Sequence, residues 1–188
     1  SDEIHCGLIM DTDKVHIPTA TLGPEVAART ITFMAPSKTF NLPGLGCAFA
    51  IISDEKLRAR FNTAMAGIVP RPNALGYAAA MAAYTECDDW QAALIHYLRG
   101  NLTLLSDAIR AMTPLAMGPV EATYLAWIDM RASGIDNPIR FFEAAGVGMQ
   151  DGVEFDGPGF ARLNFGCPRH LLTEALTRMQ RALEQRRG

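Results

Sequence analysis

Lysine is scarce in this chain of 188 residues: seventeen residues are basic, and only Lys14, Lys38 and Lys56 among them are not arginine. Paired cysteines are lacking too. Cys6, Cys47, Cys87 and Cys167 lie far apart with no CxxC spacing, which offers neither a zinc site nor a disulfide framework and fits a reducing, cytoplasmic setting. No apolar run approaches the ~20 residues that a membrane-spanning helix requires. Charge of one sign is not in excess either. The formal net charge of -3, with acids and bases interspersed, argues against a nucleic-acid footprint. Repeats and low-complexity segments are missing. What remains is an ordinary globular balance in a chain long enough for one large domain or two small ones.

Local patterning predicts a mixture of helices and short strands. Residues 4–9 form an apolar run broken by Gly7 and read as the end of a buried strand. Residues 11–29 read as loop, because Pro18 and Pro24 break any long helix. The β-branched, alternating run 30–34 predicts a strand closed by Pro36, followed by a loop over 37–46 and a second strand over 47–52. Ser53 stands as a capping hydroxyl before Asp54 and Glu55 in the first turn of a helix. Residues 74–84 predict an uncharged, alanine-rich helix of the kind that packs closely between other elements. Residues 90–112 predict a long helix striped by Leu94, Leu98, Leu102, Leu105 and Ile109. Gly100 inside it costs roughly 1 kcal/mol against alanine, and the sequence offers no reason for it.

The second half reads as a strand over 123–130, a short helix over 138–145, a strand over 160–165 and a final helix from near Pro168. That last helix carries Leu172, Leu176, Met179 and Leu183 on one face. A boundary near residue 90 divides the chain into 1–90 and 91–188, the second part a compact α+β unit built around the long helix.

Three places could carry chemistry. Lys38 follows a buried-looking strand among small or apolar neighbours, with no acid within ten residues on either side. Burial without a counter-ion lowers a lysine pKa and leaves a neutral amine able to attack a carbonyl. A surface-loop lysine with its stem on apolar neighbours explains the position equally well. Asp2 and His5 sit at a strand end, where alternation puts Asp2, Ile4 and Cys6 on one face and Glu3, His5 and Gly7 on the other. A carboxylate there can hold a protonated ring nitrogen; a turn carboxylate and a satisfied structural histidine are the plainer readings. Arg162 shares a strand face with Asn164, and a guanidinium fork held on a strand suits a carboxylate, although most strand arginines simply face solvent. His16, His96 and His170 have no ligand-spaced partner and read as structural or surface residues.

These segments together resemble the pyridoxal-phosphate enzymes of fold type I, in the class I/II aminotransferase superfamily. Ser1-Asp2-Glu3-Ile4-His5 is similar to the strand that supplies the aspartate for the pyridine nitrogen. Ala35-Pro36-Ser37-Lys38-Thr39-Phe40-Asn41 is similar to the cofactor-lysine loop. Ala161-Arg162-Leu163-Asn164-Phe165-Gly166-Cys167-Pro168-Arg169 is similar to the strand bearing the substrate-carboxylate arginine. The cystathionine β-lyase branch, the MalY/PatB family of carbon–sulfur lyases, is the nearest resemblance. It rests on Trp90 followed by Tyr97-Leu98-Arg99-Gly100-Asn101, on Ala122-Thr123-Tyr124-Leu125-Ala126-Trp127, and on Gly157-Pro158-Gly159-Phe160.

The resemblance implies an α/β fold: the C-terminal part of a mixed-sheet large cofactor-binding domain, then an α+β small domain. It implies that Lys38 bonds pyridoxal 5'-phosphate and shuttles the substrate α-proton, while Asp2 keeps the ring nitrogen protonated. His5 stands where many aminotransferases have a tyrosine to the ring oxygen, and Arg162 would take the substrate carboxylate. Ala35 and Gly46 replace a serine and an arginine that often bind the phosphate, so Ser37 becomes a candidate for that role. The expected reaction is β-elimination from a cysteine-type amino acid, giving a thiol, pyruvate and ammonia. Transamination is the alternative, and a non-catalytic effector-sensing domain of a regulator a third reading. A homodimer is implied. So is an N-terminal half bearing the phosphate loop and a stacking aromatic ring, which makes the chain an expected C-terminal half that binds cofactor poorly alone.

Overall fold

Proline and glycine cut the first ninety residues into short elements, whereas the remainder has room for longer ones. The computed structural model describes residues 1–187. Two compact units divide the chain, one from Ser1 to Ala93 and one from Leu94 onward.

In the first unit a single helical turn, α1 (Pro24–Ala27), precedes strand β1 (Thr32–Met34), which pairs antiparallel with β2 (Phe49–Ile51). Asp2 joins β1 through an isolated parallel bridge to Phe33. The bridge is made by Glu3 N–H donating to Phe33 O at 3.0 Å and Phe33 N–H donating to Ser1 O at 2.8 Å. The strand expected over 4–9 does not form. Residues 4–7 are a turn, closed by Cys6 N–H donating to Glu3 O and Leu8 N–H to His5 O. The alternation expected from Asp2 to Gly7 holds for its first step, Asp2 exposed and Glu3 buried, and is lost in the turn, where Ile4, His5, Cys6 and Gly7 are all half-buried. Gly7 leaves no room for a side chain, since a Cβ there would lie 2.8 Å from both Thr39 Oγ1 and Gln91 Nε2. Gln91 Nε2 donates to the Gly7 carbonyl at 2.8 Å, so a short loop ties to a helix where a strand partner was expected.

Helix α2 (Glu55–Met65) is capped by Asp54, whose carboxylate accepts from Leu57 N–H at 2.7 Å. The cap is therefore Asp54 and not Ser53, which lies one residue too far out to reach the third helical amide. Helix α3 (Ala74–Glu86) is capped in the same way by Asn73. Its alanine-rich sequence predicts close packing, yet only Gly76 and Ala83 are buried, and Leu75, Tyr77, Met81 and Tyr84 stay exposed.

Helix α4 (Asp88–Ala111) opens on two acids that suit its N-terminus and ends on Arg110. The division between the units falls within it. Strands β3 (Ala116–Met117) and β4 (Leu125–Asp129), helix α5 (Pro138–Ala144), strands β5 (Gln150–Asp151) and β6 (Phe160–Asn164), and helix α6 (Arg169–Arg187) complete the second unit. Its sheet is antiparallel in the order β3-β4-β6-β5. Period-two alternation buries Ala126, Ile128, Ala161 and Leu163 on one face and leaves Trp127 and Arg162, opposite each other in register, on the other. Phe142, Phe165, Leu172, Leu176 and Met179 are likewise buried, and with Leu98, Leu105 and Ile109 of α4 they make this unit's core. At about 25 cal/mol per Å² of apolar surface, such wholly buried side chains each contribute roughly 2 kcal/mol. No helix among the described residues is long and apolar enough to cross a membrane.

Candidate active site

Proline ends β1 because it cannot donate to the ladder, and the chain then turns tightly. Phe40 N–H donates to Pro36 O at 2.9 Å, Leu42 N–H donates to Ser37 O at 3.1 Å, and Asn41 takes a left-handed φ of 53°. This turn holds Ser37 and Lys38 half-buried while Ala35, Pro36 and Thr39 are buried. Phe40 braces it, with its ring 6.1 Å from Trp90 and 5.7 Å from Tyr84. Lys38 forms neither a hydrogen bond nor an ion pair with any described residue.

Asp2 stands on the segment bridged to β1. One carboxylate oxygen accepts from Ile4 N–H at 3.3 Å, and the other has no partner among the described residues. His5 is half-buried in the turn that follows, its carbonyl accepting from Leu8 N–H at 2.9 Å. Asp2, His5, Ser37 and Lys38 all belong to the first unit, in which residue 2 pairs with β1. Arg162 belongs to the second.

Beside Asp2, Glu3 makes a buried polar anchor that sequence patterning does not foresee. Its carboxylate accepts from His16 Nε2 at 2.8 Å, Thr19 N–H at 2.9 Å and Ser1 Oγ at 3.0 Å. Burial pushes its carboxyl up; the hydrogen bonds from His16, Thr19 and Ser1, with the His16 charge, together outweigh that and hold it below its ordinary value. Burial, and after it the nearby charge of Glu3, pushes the Cys6 thiol up, which leaves it a poor nucleophile. All four cysteines are free, and no cluster of metal-ligating side chains occurs among the described residues.

In the second unit, Arg162 projects from the open face of β6 with Gln150 of β5 directly opposite. Arg162 Nε donates to Gln150 Oε1 at 2.9 Å, Nη2 donates to the same oxygen, and the guanidinium lies 4.1 Å over the ring of Phe155. Trp127 continues this face, stacked 5.4 Å from Phe160 and edge-on to Phe155 at 6.0 Å. The segment Gly157-Pro158-Gly159 has a physical reason here. A Cβ on Gly157 would sit 2.4 Å from the Trp127 ring, and Gly159 combines a φ of +82° with contact against the Arg131 side chain.

The far end of β6 is fastened to α4. Asn101, fully buried, donates through Nδ2 to the carbonyls of Phe165 (3.0 Å) and Cys167 (2.9 Å). Arg169 returns the tie: its Nε donates to Asn101 Oδ1 at 3.1 Å, its backbone N–H to Tyr97 Oη at 2.6 Å, and its guanidinium lies 4.7 Å over the Tyr97 ring. Gly100 gives the guanidinium its room, since a Cβ there would fall 2.5 Å from Arg169 Nη2. Sequence reasoning missed Gln150 and Phe155 because a two-residue strand shows no periodicity, and register is a property of the folded sheet.

The family model for class I and II aminotransferases matches residues 1–179. The chain is 34% identical over 194 residues to cystathionine beta-lyase PatB of Bacillus subtilis (strain 168), covering 97% of this chain and 49% of that protein. It is 33% identical to protein MalY of Escherichia coli (strain K12), with 97% and 48% covered. A crystal structure of OvoB superposes with a TM-score of 0.94 at 46% identity, covering 97% of this chain and 48% of that one. The chain spans about half the length of the relatives it matches.

Proposed function

This chain belongs to the class I and II aminotransferase family, and from that premise we propose that it is part of a pyridoxal-phosphate-dependent carbon–sulfur β-lyase. Its first unit is the C-terminal part of the large cofactor-binding domain and its second unit the small domain. The whole protein is a cytoplasmic homodimer acting on a sulfur-bearing amino acid. The observation that carries this reading is the placement of Lys38 and Asp2. An amine with no ionic partner follows β1, and a carboxylate with one oxygen uncommitted stands on the segment bridged to that strand.

Those two groups fit the cofactor's demands, a primary amine to bond its carbonyl and an anion to hold a proton on its ring nitrogen. Ser37, half-buried beside Lys38, would donate to the phosphate, and His5 would face the ring oxygen. When bound, pyridoxal phosphate supplies an electron sink that acidifies the substrate α-carbon. Arg162 grips the substrate carboxylate and so fixes which Cα bond can break. Lys38, freed when the substrate amine takes its place on the cofactor carbonyl, would take the α-proton. Asp2 would hold the proton on the ring nitrogen. With the α-proton gone, the bond from Cβ to sulfur breaks and the thiolate leaves with the electron pair, to be protonated to the thiol. One water would be consumed overall, with pyruvate and ammonia as the other products, so the net change is hydrolytic and no electrons are exchanged with a second substrate.

The names of PatB and other relatives as cystathionine beta-lyases support elimination over transamination. The full-length protein given cystathionine should release thiol and pyruvate with no acceptor keto acid present. Keto-acid formation that requires an added acceptor would replace the lyase reading by transamination.

A further inference from the structure

The geometry points to Gln150 as a positioning residue that decides how Arg162 holds the substrate carboxylate. The inference rests on the role of Arg162 proposed above. A guanidinium offers five N–H donors, arranged as a side edge (Nε with Nη2) and an end edge (Nη1 with Nη2). Gln150 Oε1 accepts from both Nε and Nη2, so the side edge is already engaged within the protein. Two further observations fix this arrangement. Gln150 and Arg162 are register partners across β5 and β6, so the backbone itself sets their side chains adjacent on one face. The ring of Phe155 lies 4.1 Å from the guanidinium carbon and covers one of its flat faces.

The consequence is that a substrate carboxylate is taken end-on, by Nη1 and the outward N–H of Nη2. A long arginine side chain loses rotamer freedom when it binds, and a neutral amide that pins it beforehand removes part of that cost without neutralising its charge. Glutamine suits the task where glutamate does not. A carboxylate at this position would satisfy the guanidinium bidentately and compete with the substrate for its charge.

The test uses the full-length protein loaded with cofactor, cystathionine as substrate and 3-(methylthio)propionate as an unreactive carboxylate competitor. Gln150→Ala is expected to raise KM and the competitor's Ki together by roughly tenfold, the size of one net hydrogen bond, and to lower kcat far less. Gln150→Glu should raise both further, and Gln150→Asn, which keeps a neutral amide, should fall between wild type and alanine. A purely structural role in the sheet would instead lower the melting temperature and kcat without separating alanine from glutamate on Ki. The inference is overturned if Gln150→Ala leaves KM and Ki within twofold of wild type while Arg162→Ala weakens both. If Arg162→Ala leaves Ki unchanged, the assignment of Arg162 fails and this inference with it.

Discussion

Asn101 and Arg169 lock the end of β6 to the middle of α4. The amide of Asn101 spends both N–H groups on the carbonyls of Phe165 and Cys167, and its oxygen accepts from Arg169 Nε at 3.1 Å. One buried side chain thus satisfies three groups where β6 leaves the sheet and α6 begins. Replacing Asn101 by alanine orphans two carbonyls and a guanidinium edge, a loss of about 2–4 kcal/mol. Urea unfolding should show a lowered midpoint of that order.

Gly100 sharpens the same point. In an exposed helix interior, glycine to alanine gains about 1 kcal/mol of stability. Here the new methyl would lie 2.5 Å from Arg169 Nη2 and displace a guanidinium tied to Asn101 and Tyr97. Gly100→Ala should therefore fail to stabilise the protein and should lower the urea midpoint; a stabilised variant would show that Arg169 moves aside freely.

The anchor at Glu3 predicts a dependence on acid. Its carboxyl is held below its ordinary value of 4.5 in the folded protein, so the unfolded chain binds the proton more readily. That stability is complete above about pH 4.5 and is lost as pH falls through the lower folded value. Unfolding free energy measured by urea between pH 3 and 6 should decline at the acid end, and Glu3→Gln should flatten the decline. His16→Ala removes one of the interactions that hold the carboxyl down and should move the decline to higher pH.

Helix α3 bears a further prediction. Tyr77, Met81 and Tyr84 share one face of α3 and expose large apolar surface of the kind that marks an interface. For the proposed homodimer, sedimentation of the full-length protein should give twice the chain mass. Tyr77→Glu with Met81→Glu is expected to shift it toward the monomer.

Sequence patterning was informative where an element is long or a residue chemically singular. The stripe of α6 and the inward face of β6 follow from their spacing, and the acid-free loop singles out Lys38 as the candidate that the cofactor labelling below tests. It failed where the outcome depends on contacts made across the fold. The apolar run after Glu3 looks like a strand, but the hydrogen bond from Gln91 to Gly7 and the close approach of Thr39 there go with a turn. The tie of His16 to Glu3 is not legible in the sequence because the two lie thirteen positions apart. Gly100 looked unexplained because Arg169, which needs the space, lies on another helix. Gln150 was invisible for the same reason: its meaning comes from standing opposite Arg162.

The central claim is that Lys38 is the residue that bonds the cofactor. Full-length protein incubated with pyridoxal phosphate and reduced with borohydride should carry one cofactor-sized mass increment per chain, on the peptide containing Lys38. Lys38→Ala should carry none. An increment found on Lys14, Lys56 or another lysine while Lys38 stays unmodified would contradict the account.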